Sequence, residues 1–428
     1  MIDLMGKSVA LVGYGASNRA LGDYLKKKSI PFVVRCPQEC SLPAGQRAVF
    51  GDGYLDICED IVFRSPGVRP DLIGCPAYTE VGYGLERCCA FKIGVSGSDG
   101  KTTTSTLIYR MLITGGKGAF LGGNIGYPIV GFGEGLSCED YLVTELSSFQ
   151  LMDMTPHLDI AVVTNISQNH LDWHRDMDEY ILAKQNIVKN ASLVVLSYDD
   201  LAVRGFAHAC TSAKKCYFSL DDLGCLVGGE DSYAYVARGF VCFDGEALFP
   251  VSDICLRGDF NLKNVLCAVA SAYPIVGKEA CHAVAREFCG VLGRQEVVCQ
   301  KKGVTYINSA IDTTPTRTKN TLSAFPTGRV VAILGGYDKN LDYSCLGEAT
   351  RGLKAVILCG ENSDKIGLEI KCRMLKANTL EEAVAFASNL ATEGDFVILT
   401  PASASFDMFE NYREKGKCFE MAVNTISW

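Results

Sequence analysis

The sequence predicts an α/β protein built from three domains. At 428 residues the chain is too long for one ordinary hydrophobic core, and typical domain sizes favour about three. Short apolar runs with the composition of buried strands alternate with helical patterns along the chain, as in parallel α/β sheets. Polar or glycine-containing segments follow several of these strands, where such sheets bind their ligands. We place the domains at residues 1–90, 91–290 and 291–428.

Composition narrows the possible partners and the compartment. The net charge of −8 argues against a surface that tracks the phosphates of DNA or RNA, so we expect no nucleic-acid partner. No apolar run approaches a membrane span and the first residues lead into a strand, which predicts a cytoplasmic protein without a membrane anchor. The twenty cysteines are scattered without C-x-x-C spacing, so we expect thiols that act as small apolar residues in a reducing compartment.

The first domain opens with a βαβ pattern. Residues 8–14 form a buried-strand run, followed by the turn Gly13-x-Gly15-x-x-Asn18 and a helix to about Lys28. A nicotinamide site would want an acidic residue after the second strand, but residues 32–34 lead into Arg35, which suits a phosphate or uridine better. From this pattern alone, a ligand site and a purely structural turn are equally good interpretations.

A phosphate loop is predicted at the start of the second domain. The strand at 91–96 runs into Gly97-Ser98-Asp99-Gly100-Lys101-Thr102-Thr103, before a helical pattern at 105–112. Backbone N–H groups and the helix N-terminus would bind phosphate there, with Lys101 on the β- and γ-phosphates and Thr102 on magnesium. The match is to a shorter G-x-x-G-K-T form, since Val95 occupies the place of the first P-loop glycine. An ordinary strand-to-helix turn is the alternative, and the position of the motif favours nucleotide binding.

Two later strands deliver candidate metal ligands. The strand at 141–144 leads to Glu145, a carboxylate placed where a magnesium ligand belongs beside a P-loop. The strand at 160–164 leads to a segment with His170, which is either a metal ligand or a loop histidine. An amphipathic helix at about 177–189 carries Lys184, and a helix lysine is by itself expected in solvent.

The remaining chain predicts a β-meander, two helices and a third sheet. The meander spans residues 233–251, and the helices cover about 261–273 and 278–288. Asn261 and Asn264 share a helix face, where they could cap the helix or recognise a base. The third domain shows strands at 304–307, 329–334, 355–359 and 395–400, separated by helical patterns that predict a parallel sheet.

The order of these motifs resembles the Mur ligase family, ATP-dependent amide-forming enzymes of peptidoglycan synthesis, from Gly13 to Phe419. The blocks Glu145–Leu151 and Pro401–Asp407 resemble its D-glutamate-adding members most closely. The other motifs that carry the resemblance are Ser65-Pro66-Gly67, Gly97-x-x-Gly100-Lys101-Thr102, Gly123-Asn124-Ile125-Gly126, Asn169-His170-Leu171-Asp172, Asn261-x-x-Asn264 and Gly335-Gly336. The resemblance implies a Rossmann-like UDP-binding domain, a central P-loop ATPase-like domain and a C-terminal Rossmann-like domain.

The resemblance also implies an activity and its residues. The enzyme would add D-glutamate to UDP-N-acetylmuramoyl-L-alanine through an acyl phosphate, as a monomer that uses ATP and Mg²⁺, with two metal sites. The UDP substrate would contact Ser17, Arg35, Ser65 and Asn124. ATP would contact Gly97, Ser98, Asp99, Gly100, Lys101, Thr102, Thr103, Asn261, Asn264 and Arg294. The catalytic residues would be Lys101, His170 and Lys184. The metal would bind Thr102, Glu145, His170 and Lys184, the last in carbamylated form. D-Glutamate would contact Thr313, Lys339, Ser405 and Tyr412.

Two departures from the family pattern leave alternatives open. Phe260 stands where many members have histidine, and residues 308–312 replace an Asp-Ser-Lys segment. The altered segment is the one feature that supports a non-catalytic homologue that only binds nucleotide or UDP-sugar. A further alternative is another ligase of the superfamily, such as the alanine-adding Mur enzyme or a folylpolyglutamate synthetase, although folate enzymes lack a domain before the phosphate loop. A nicotinamide oxidoreductase is disfavoured by Asn18 and Arg35.

Overall fold

The structure, a computed structural model, describes residues 2–171, 173–291, 293 and 295–425. The chain forms two compact units. One consists of Met1–Asp253 with Lys263–Ala285, and the other of Ile254–Leu262 with Arg286–Trp428. In the described residues, the first unit holds two β-sheets and the second holds one, which confirms the predicted α/β class with three sheets. The domain boundaries near residues 90 and 290 stay predictions. Among the helices of the described ranges, none has the length and apolar composition to cross a bilayer.

The first sheet is fully parallel, with strand order β3-β2-β1-β4-β5. Its elements are β1 Val9–Val12, α1 Ala16–Lys27, β2 Phe32–Cys36, β3 Ala48–Phe50, β4 Ile61–Arg64, β5 Ala77–Tyr78 and α2 Glu80–Arg87. Every residue of β1 is buried because this strand lies at the centre of the sheet, and Leu21 and Leu25 of α1 belong to the same core. The order reverses at β1 and β4, which is where sheets of this topology bind ligands.

The second sheet has nine strands, in the order β14-β13-β12-β11-β10-β9-β6-β8-β7. Its strands are β6 Phe91–Ser96, β7 Ala119–Gly123, β8 Tyr141–Glu145, β9 His157–Val163, β10 Asn190–Ser197, β11 Lys214–Ser219, β12 Ser232–Ala237, β13 Phe240–Phe243 and β14 Glu246–Pro250. Antiparallel pairing of β12, β13 and β14 confirms the predicted meander, which extends the parallel part of this sheet.

The helices between residues 101 and 287 differ slightly from the predicted bounds. They are α3 Lys101–Thr114, α4 Ser148–Leu151, α5 Met177–Gln185, α6 Leu201–Gly205 and α7 Asp259–Glu287. Helix α3 starts at Lys101 rather than at Ser105, because the left-handed Gly100 (φ 81°) turns the chain directly into the helix. Helix α7 is broken at Gly277 (φ 78°), which confirms two helical segments at this place.

The third sheet lies in the second unit and has the order β15-β16-β20-β17-β18-β19. Its elements are β15 Glu296–Lys301, β16 Val304–Asn308, α8 Pro315–Ser323, β17 Val330–Leu334, α9 Cys345–Thr350, β18 Ala355–Cys359, α10 Ser363–Gly367, β19 Met374–Ala377, α11 Leu380–Leu390, β20 Phe396–Leu399 and α12 Tyr412–Thr425. The four predicted strands are confirmed. The edge strands β15 and β19 went unpredicted because edge strands are partly exposed and carry polar residues.

One disulfide corrects the expectation that every cysteine is a thiol. Cys255 and Cys289 of the second unit are joined, with their Cα atoms 5.3 Å apart. The two residues are separated by 34 positions in the chain, so no local spacing pattern indicates that they meet.

Candidate active site

The phosphate loop lies between β6 and α3, and two of its residues must be glycine. Gly97 (φ 141°) and Gly100 (φ 81°) occupy the left-handed region. A Cβ atom at Gly97 would also collide with Thr164, and one at Gly100 with the side chain of Asn264. The loop therefore keeps its backbone N–H groups close to the N-terminus of α3, a geometry suited to phosphate.

Two residues at the end of the neighbouring strand hold this loop in place by hydrogen bonds. The sequence patterns did not single them out. Asn165 accepts a hydrogen bond from the Asp99 N–H (3.0 Å) and donates one to the Asp99 carbonyl (3.0 Å). The Thr164 hydroxyl donates to the same carbonyl at 2.6 Å. The signal that could have found them is their position directly after β9, since β9 pairs with β6 and the two carboxyl ends meet at one edge.

Two lysines approach the loop from different helices. The Lys101 ammonium donates to the carbonyls of Gly97 and Ser98, at 2.9 Å each. The Lys184 amine, 1% exposed, donates to the Gly97 carbonyl at 2.7 Å and to the Ser96 hydroxyl at 3.4 Å. The helix pattern taken alone suggests a solvent position, which is wrong because α5 packs this face against the loop. The metal role that the family resemblance implies for Lys184 stays a prediction.

Burial changes the chemistry of Lys184. Desolvation, reinforced by the neighbouring Lys101 charge, holds the pKa of the Lys184 amine well below its usual range, against opposing effects of Glu145 and Asp99. A lysine with a lowered pKa carries more of the neutral amine, which is the form that adds to carbon dioxide. The environment is thus suited to carbamylation.

Glu145 joins the loop to the Gly123–Gly126 segment. Its carboxylate accepts one hydrogen bond from the Thr102 hydroxyl and one from the Asn124 amide, each at 2.8 Å. Among the described residues no three His, Cys, Asp or Glu side chains cluster as a metal site. Magnesium fits here nonetheless, because it prefers one or two protein oxygens completed by phosphate and water, and Thr102 with Glu145 supplies a hydroxyl and a carboxylate in contact.

His170 sits in a constrained backbone conformation. Its φ of 56° lies in the left-handed region, and its carbonyl accepts hydrogen bonds from the N–H groups of Trp173 and His174. Its ring packs against Phe149, with centroids 5.0 Å apart, just beyond the strand that ends at Glu145. The structure therefore holds the His170 segment next to the segment that follows Glu145, and its role as a metal ligand stays a prediction.

In the first sheet, the glycine-rich turn faces the turn after β4. A Cβ atom at Gly13 (φ 74°) would lie 2.9 Å from the Ser65 Cβ, and one at Gly15 would lie 3.1 Å from the Ser65 hydroxyl. Asn18 fills the place of the third glycine and donates to the carbonyls of Val12 and Gly13. Ser65 and the half-buried Ser17 thus belong to neighbouring turns at the point where the strand order reverses.

Arg35 lies within β2 and not in the turn that follows it. Its guanidinium is 4% exposed and makes two 3.0 Å hydrogen bonds to the carboxylate of Glu59. A phosphate would have to compete with this buried ion pair. The role of Arg35 toward the UDP substrate stays a prediction.

Asn261 and Asn264, which the resemblance implies for the nucleotide, belong to different units. Asn264 accepts a hydrogen bond from the Thr104 hydroxyl at 3.3 Å in the first unit. In the second unit, Asn261 donates to Gln295 at 3.1 Å, and Gln295 donates to Thr321 at 3.2 Å. Arg294 lies outside the described residues.

The divergent segment 308–312 belongs to a buried polar network. Asp312 accepts hydrogen bonds from the hydroxyls of Thr321 (2.7 Å) and Thr400 (3.0 Å). Asn308 donates to Glu420 and accepts from the Ala310 N–H. These contacts tie the ends of β16 and β20 to α8, so the segment has a structural task whatever its role toward ligands.

The predicted D-glutamate residues follow adjacent strands of the third sheet. Thr313 follows β16, Ser405 follows β20 and Lys339 follows β17, three strands that are neighbours in the sheet. Tyr337 pairs with Ala404, which brings the Lys339 and Ser405 segments together. The Ser405 hydroxyl is buried and has no hydrogen-bond partner among the residues that the structure describes. The fourth residue, Tyr412, begins α12 and is half-buried.

Comparison with known proteins agrees with this architecture. The model of the Mur ligase middle domain matches residues 95–272, and that of the Mur ligase glutamate ligase domain matches residues 293–403. A UDP-N-acetylmuramoylalanine–D-glutamate ligase of Acetivibrio thermocellus is 37% identical, over 99% of this chain and 97% of the relative. One of the same name from Clostridium perfringens is 36% identical, over 99% of this chain and 98% of the relative.

Solved structures share the fold at lower identity. The UDP-N-acetylmuramate-alanine ligase of Thermotoga maritima aligns with a TM-score of 0.61 at 18% identity, over 98% of this chain and 99% of that one. The MurF ligase of the same organism, solved in complex with ADP, aligns with a TM-score of 0.59 at 18% identity, over 99% of both chains. With a phosphate loop, a buried lysine and a carboxylate in the expected places, the chain belongs to the Mur ligase family of ATP-dependent amide ligases.

Proposed function

We propose that this ligase adds D-glutamate to the alanine carboxylate of UDP-N-acetylmuramoyl-L-alanine in the cytoplasm, as a monomer. The similarity to D-glutamate ligases over nearly the whole chain supports these substrates. The observation that carries the chemistry is the arrangement of Lys101, Lys184 and the Thr102–Glu145 pair around one glycine-rich loop.

A carboxylate must be activated before an amine can displace its oxygen. The alanine carboxylate oxygen attacks the γ-phosphorus of ATP, and the bond from this phosphorus to the β-phosphate oxygen breaks. ADP departs, and the substrate is then an acyl phosphate. The amine of D-glutamate, once deprotonated, attacks the acyl carbon, and inorganic phosphate departs with the bonding electrons. The products are the amide, ADP and phosphate.

The residues of the loop support the first step. Backbone N–H groups between Gly97 and Thr103 hold the phosphates, and the Lys101 ammonium neutralises charge on the transferring group. Thr102 and Glu145, with His170 and a carbamylated Lys184, would hold Mg²⁺ at two sites. Magnesium would supply charge neutralisation and orient the phosphates. Carbamylation of Lys184 would convert a buried amine into an anionic oxygen ligand.

The other predicted contacts divide between the two substrates. Ser17, Ser65 and Asn124, with Arg35 if it is released from Glu59, would hold the UDP substrate. Asn261, Asn264 and Arg294 would contact the nucleotide. The carboxylates of D-glutamate would be held by Thr313, Lys339, Ser405 and Tyr412. The buried Ser405 hydroxyl, which has no partner within the described ranges, supports this last assignment, because a ligand oxygen would satisfy it.

The test is phosphate release with purified protein and Mg²⁺. In the absence of hydroxylamine we expect release only when ATP, UDP-N-acetylmuramoyl-L-alanine and D-glutamate are all present. When hydroxylamine replaces D-glutamate, it should capture the acyl phosphate as a hydroxamate and release phosphate. L-Glutamate and L-alanine are the matched controls for the amino acid. Equal rates with either control, or release without the UDP substrate, would contradict the proposed substrates.

A further inference from the structure

The turn that follows β4 is bound through its backbone to the segment that carries His170. Three successive carbonyls of this turn accept hydrogen bonds from side chains. The Arg64 guanidinium donates to Pro66 (3.4 Å) and Val68 (3.1 Å), and the Trp173 indole N–H donates to Gly67 (3.0 Å). The conformation of the turn therefore depends on two side chains that also contact other segments.

Arg64 links the turn to the segment after β8. Its side chain is fully buried, and it donates to both carboxylate oxygens of Asp153, with one of these contacts at 2.8 Å. It also donates to the Phe149 carbonyl at 2.8 Å. One guanidinium thus bonds to the backbone of the turn and to the backbone of the segment after β8. It can do so because a guanidinium has five N–H donors in a fixed planar arrangement.

Trp173 closes the same link through its ring. The centroid of the Trp173 ring lies 4.3 Å from that of the Phe149 ring, and the Phe149 ring centroid lies 5.0 Å from that of His170. Arg69, one residue beyond the turn, donates to the Trp173 carbonyl at 2.5 Å and lies 5.1 Å from the ring centroid. The same arginine makes a double hydrogen bond with Glu179 of α5, at 3.0 Å each.

We propose that Trp173 and Arg64 are positioning residues that lock the His170 segment to the Pro66–Val68 turn. Neither is a catalytic residue; each acts through the segments that it holds. The inference rests on the proposed function, which assigns the UDP substrate to Ser65 at the start of the turn and Mg²⁺ to His170. Loss of the link shifts both segments, so binding of the UDP substrate and of the metal weakens together.

Trp173→Phe is the first test, because it keeps an aromatic ring against Phe149 and removes the indole N–H. We expect the KM for the UDP substrate and the Mg²⁺ concentration for half-maximal rate each to rise about threefold to tenfold, the range for one lost hydrogen bond. The KM for D-glutamate is expected to stay unchanged, since its predicted residues lie in the second unit. A merely destabilised enzyme would lose active protein and kcat without this selective change in half-saturation.

Tyr78→Phe is the matched control, because it also removes one polar group from an aromatic side chain of the same unit, at a 39% exposed position. We expect it to leave all constants unchanged. Unchanged constants in Trp173→Phe, or an equal rise in the D-glutamate KM, would overturn the positioning role. If the wild-type enzyme does not turn over the UDP substrate at all, the proposed function fails first, so the two failures are distinguishable.

A second measurement does not depend on turnover. The chain has two tryptophans, so Trp428→Phe leaves Trp173 as the sole indole fluorophore. We expect the UDP substrate, added without ATP or metal, to change Trp173 emission, because the indole N–H is bonded to the turn beside Ser65. Equilibrium dialysis under the same conditions should show about threefold to tenfold weaker binding to Trp173→Phe than to wild type. If the UDP substrate does not change Trp173 emission and Trp173→Phe binds it as tightly as wild type, the link is refuted.

Discussion

Two replacements of Lys184 test whether this position supplies a carbamate, because they differ in the space that they leave for an added carboxylic acid. Lys184→Met fills most of the site with an uncharged chain, whereas Lys184→Ala leaves room for a small ligand. If a carbamate on Lys184 stabilises the transferring phosphoryl group or its metal, both variants should lose roughly 10²- to 10³-fold in kcat, the scale of one preorganised electrostatic contact. Only Lys184→Ala should regain activity with acetate or propionate, since only it can admit the carboxylate.

The structure also predicts the sign of the stability change. The Lys184 amine is 1% exposed and its pKa is well below the usual range because of burial, so the folded state bears the cost of desolvating an amine. Its two hydrogen bonds to Gly97 and Ser96 offset part of that cost. Lys184→Met should therefore melt at or above the wild-type temperature, while Lys184→Ala should melt lower because of the cavity.

The assay is phosphate release with all substrates, in parallel with thermal melting and intact-mass measurement in bicarbonate buffer. Rescue of Lys184→Ala by acetate, without rescue of Lys184→Met, supports a carboxylate-type group at this position. Full activity of either variant without added acid would exclude a required carbamate at Lys184. Equal rescue of both variants would show that the acid acts at some other place.

Three further predictions concern Lys101, the buried carboxyl group of Glu80 and the disulfide. Lys101→Ala should lower kcat/KM by roughly 10²- to 10³-fold with an unchanged melting temperature, and near-wild-type turnover would rule out phosphate stabilisation by this residue. Burial raises the pKa of the Glu80 carboxyl to about 7, above its ordinary 4.5. The folded state therefore favours the protonated carboxyl, which stabilises the fold at low pH. This stabilisation, ~3 kcal/mol, is lost as pH rises through 7. Wild type should therefore lose more thermal stability than Glu80→Gln between pH 5 and pH 8, and parallel profiles would contradict this. Alkylation of denatured protein without reductant should label two fewer thiols than with reductant because of the Cys255–Cys289 bond, a difference that Cys255→Ser should abolish.

Much of the site was accessible from local sequence signals. The glycine positions and the G-K-T step depend on backbone conformations within one strand-to-helix turn, and the structure places Gly97 and Gly100 in the left-handed region as such a turn requires. Glu145 and the polar strand ends of the third sheet were found because parallel strands deliver side chains to one edge. The roles of third-sheet residues toward D-glutamate came only from the family resemblance. Such features need only short-range information.

Other parts of the site depend on contacts between distant segments. The helix pattern alone placed Lys184 in solvent and the family resemblance placed it at the metal, but only the packing of α5 against the loop shows its amine buried at Gly97. Arg35 was assigned to a ligand, whereas Glu59 occupies its guanidinium in the fold. The bond between Cys255 and Cys289 likewise joins positions that no spacing pattern relates.

Local patterns in the chain were sufficient for the α/β class, the strands that lie deepest in the three sheets, and the glycine-rich loop predicted to bind phosphate, because strand burial and glycine conformations are local properties. Only the packed fold shows the contacts that these side chains make: the Lys184 amine buried against the Gly97 carbonyl, the hydrogen bond from Thr102 to Glu145, and the hydrogen bonds from Arg64 to Phe149 and from Trp173 to Gly67. Burial and charge pairing arise only when segments far apart in the chain pack together, and they set the chemistry of these groups.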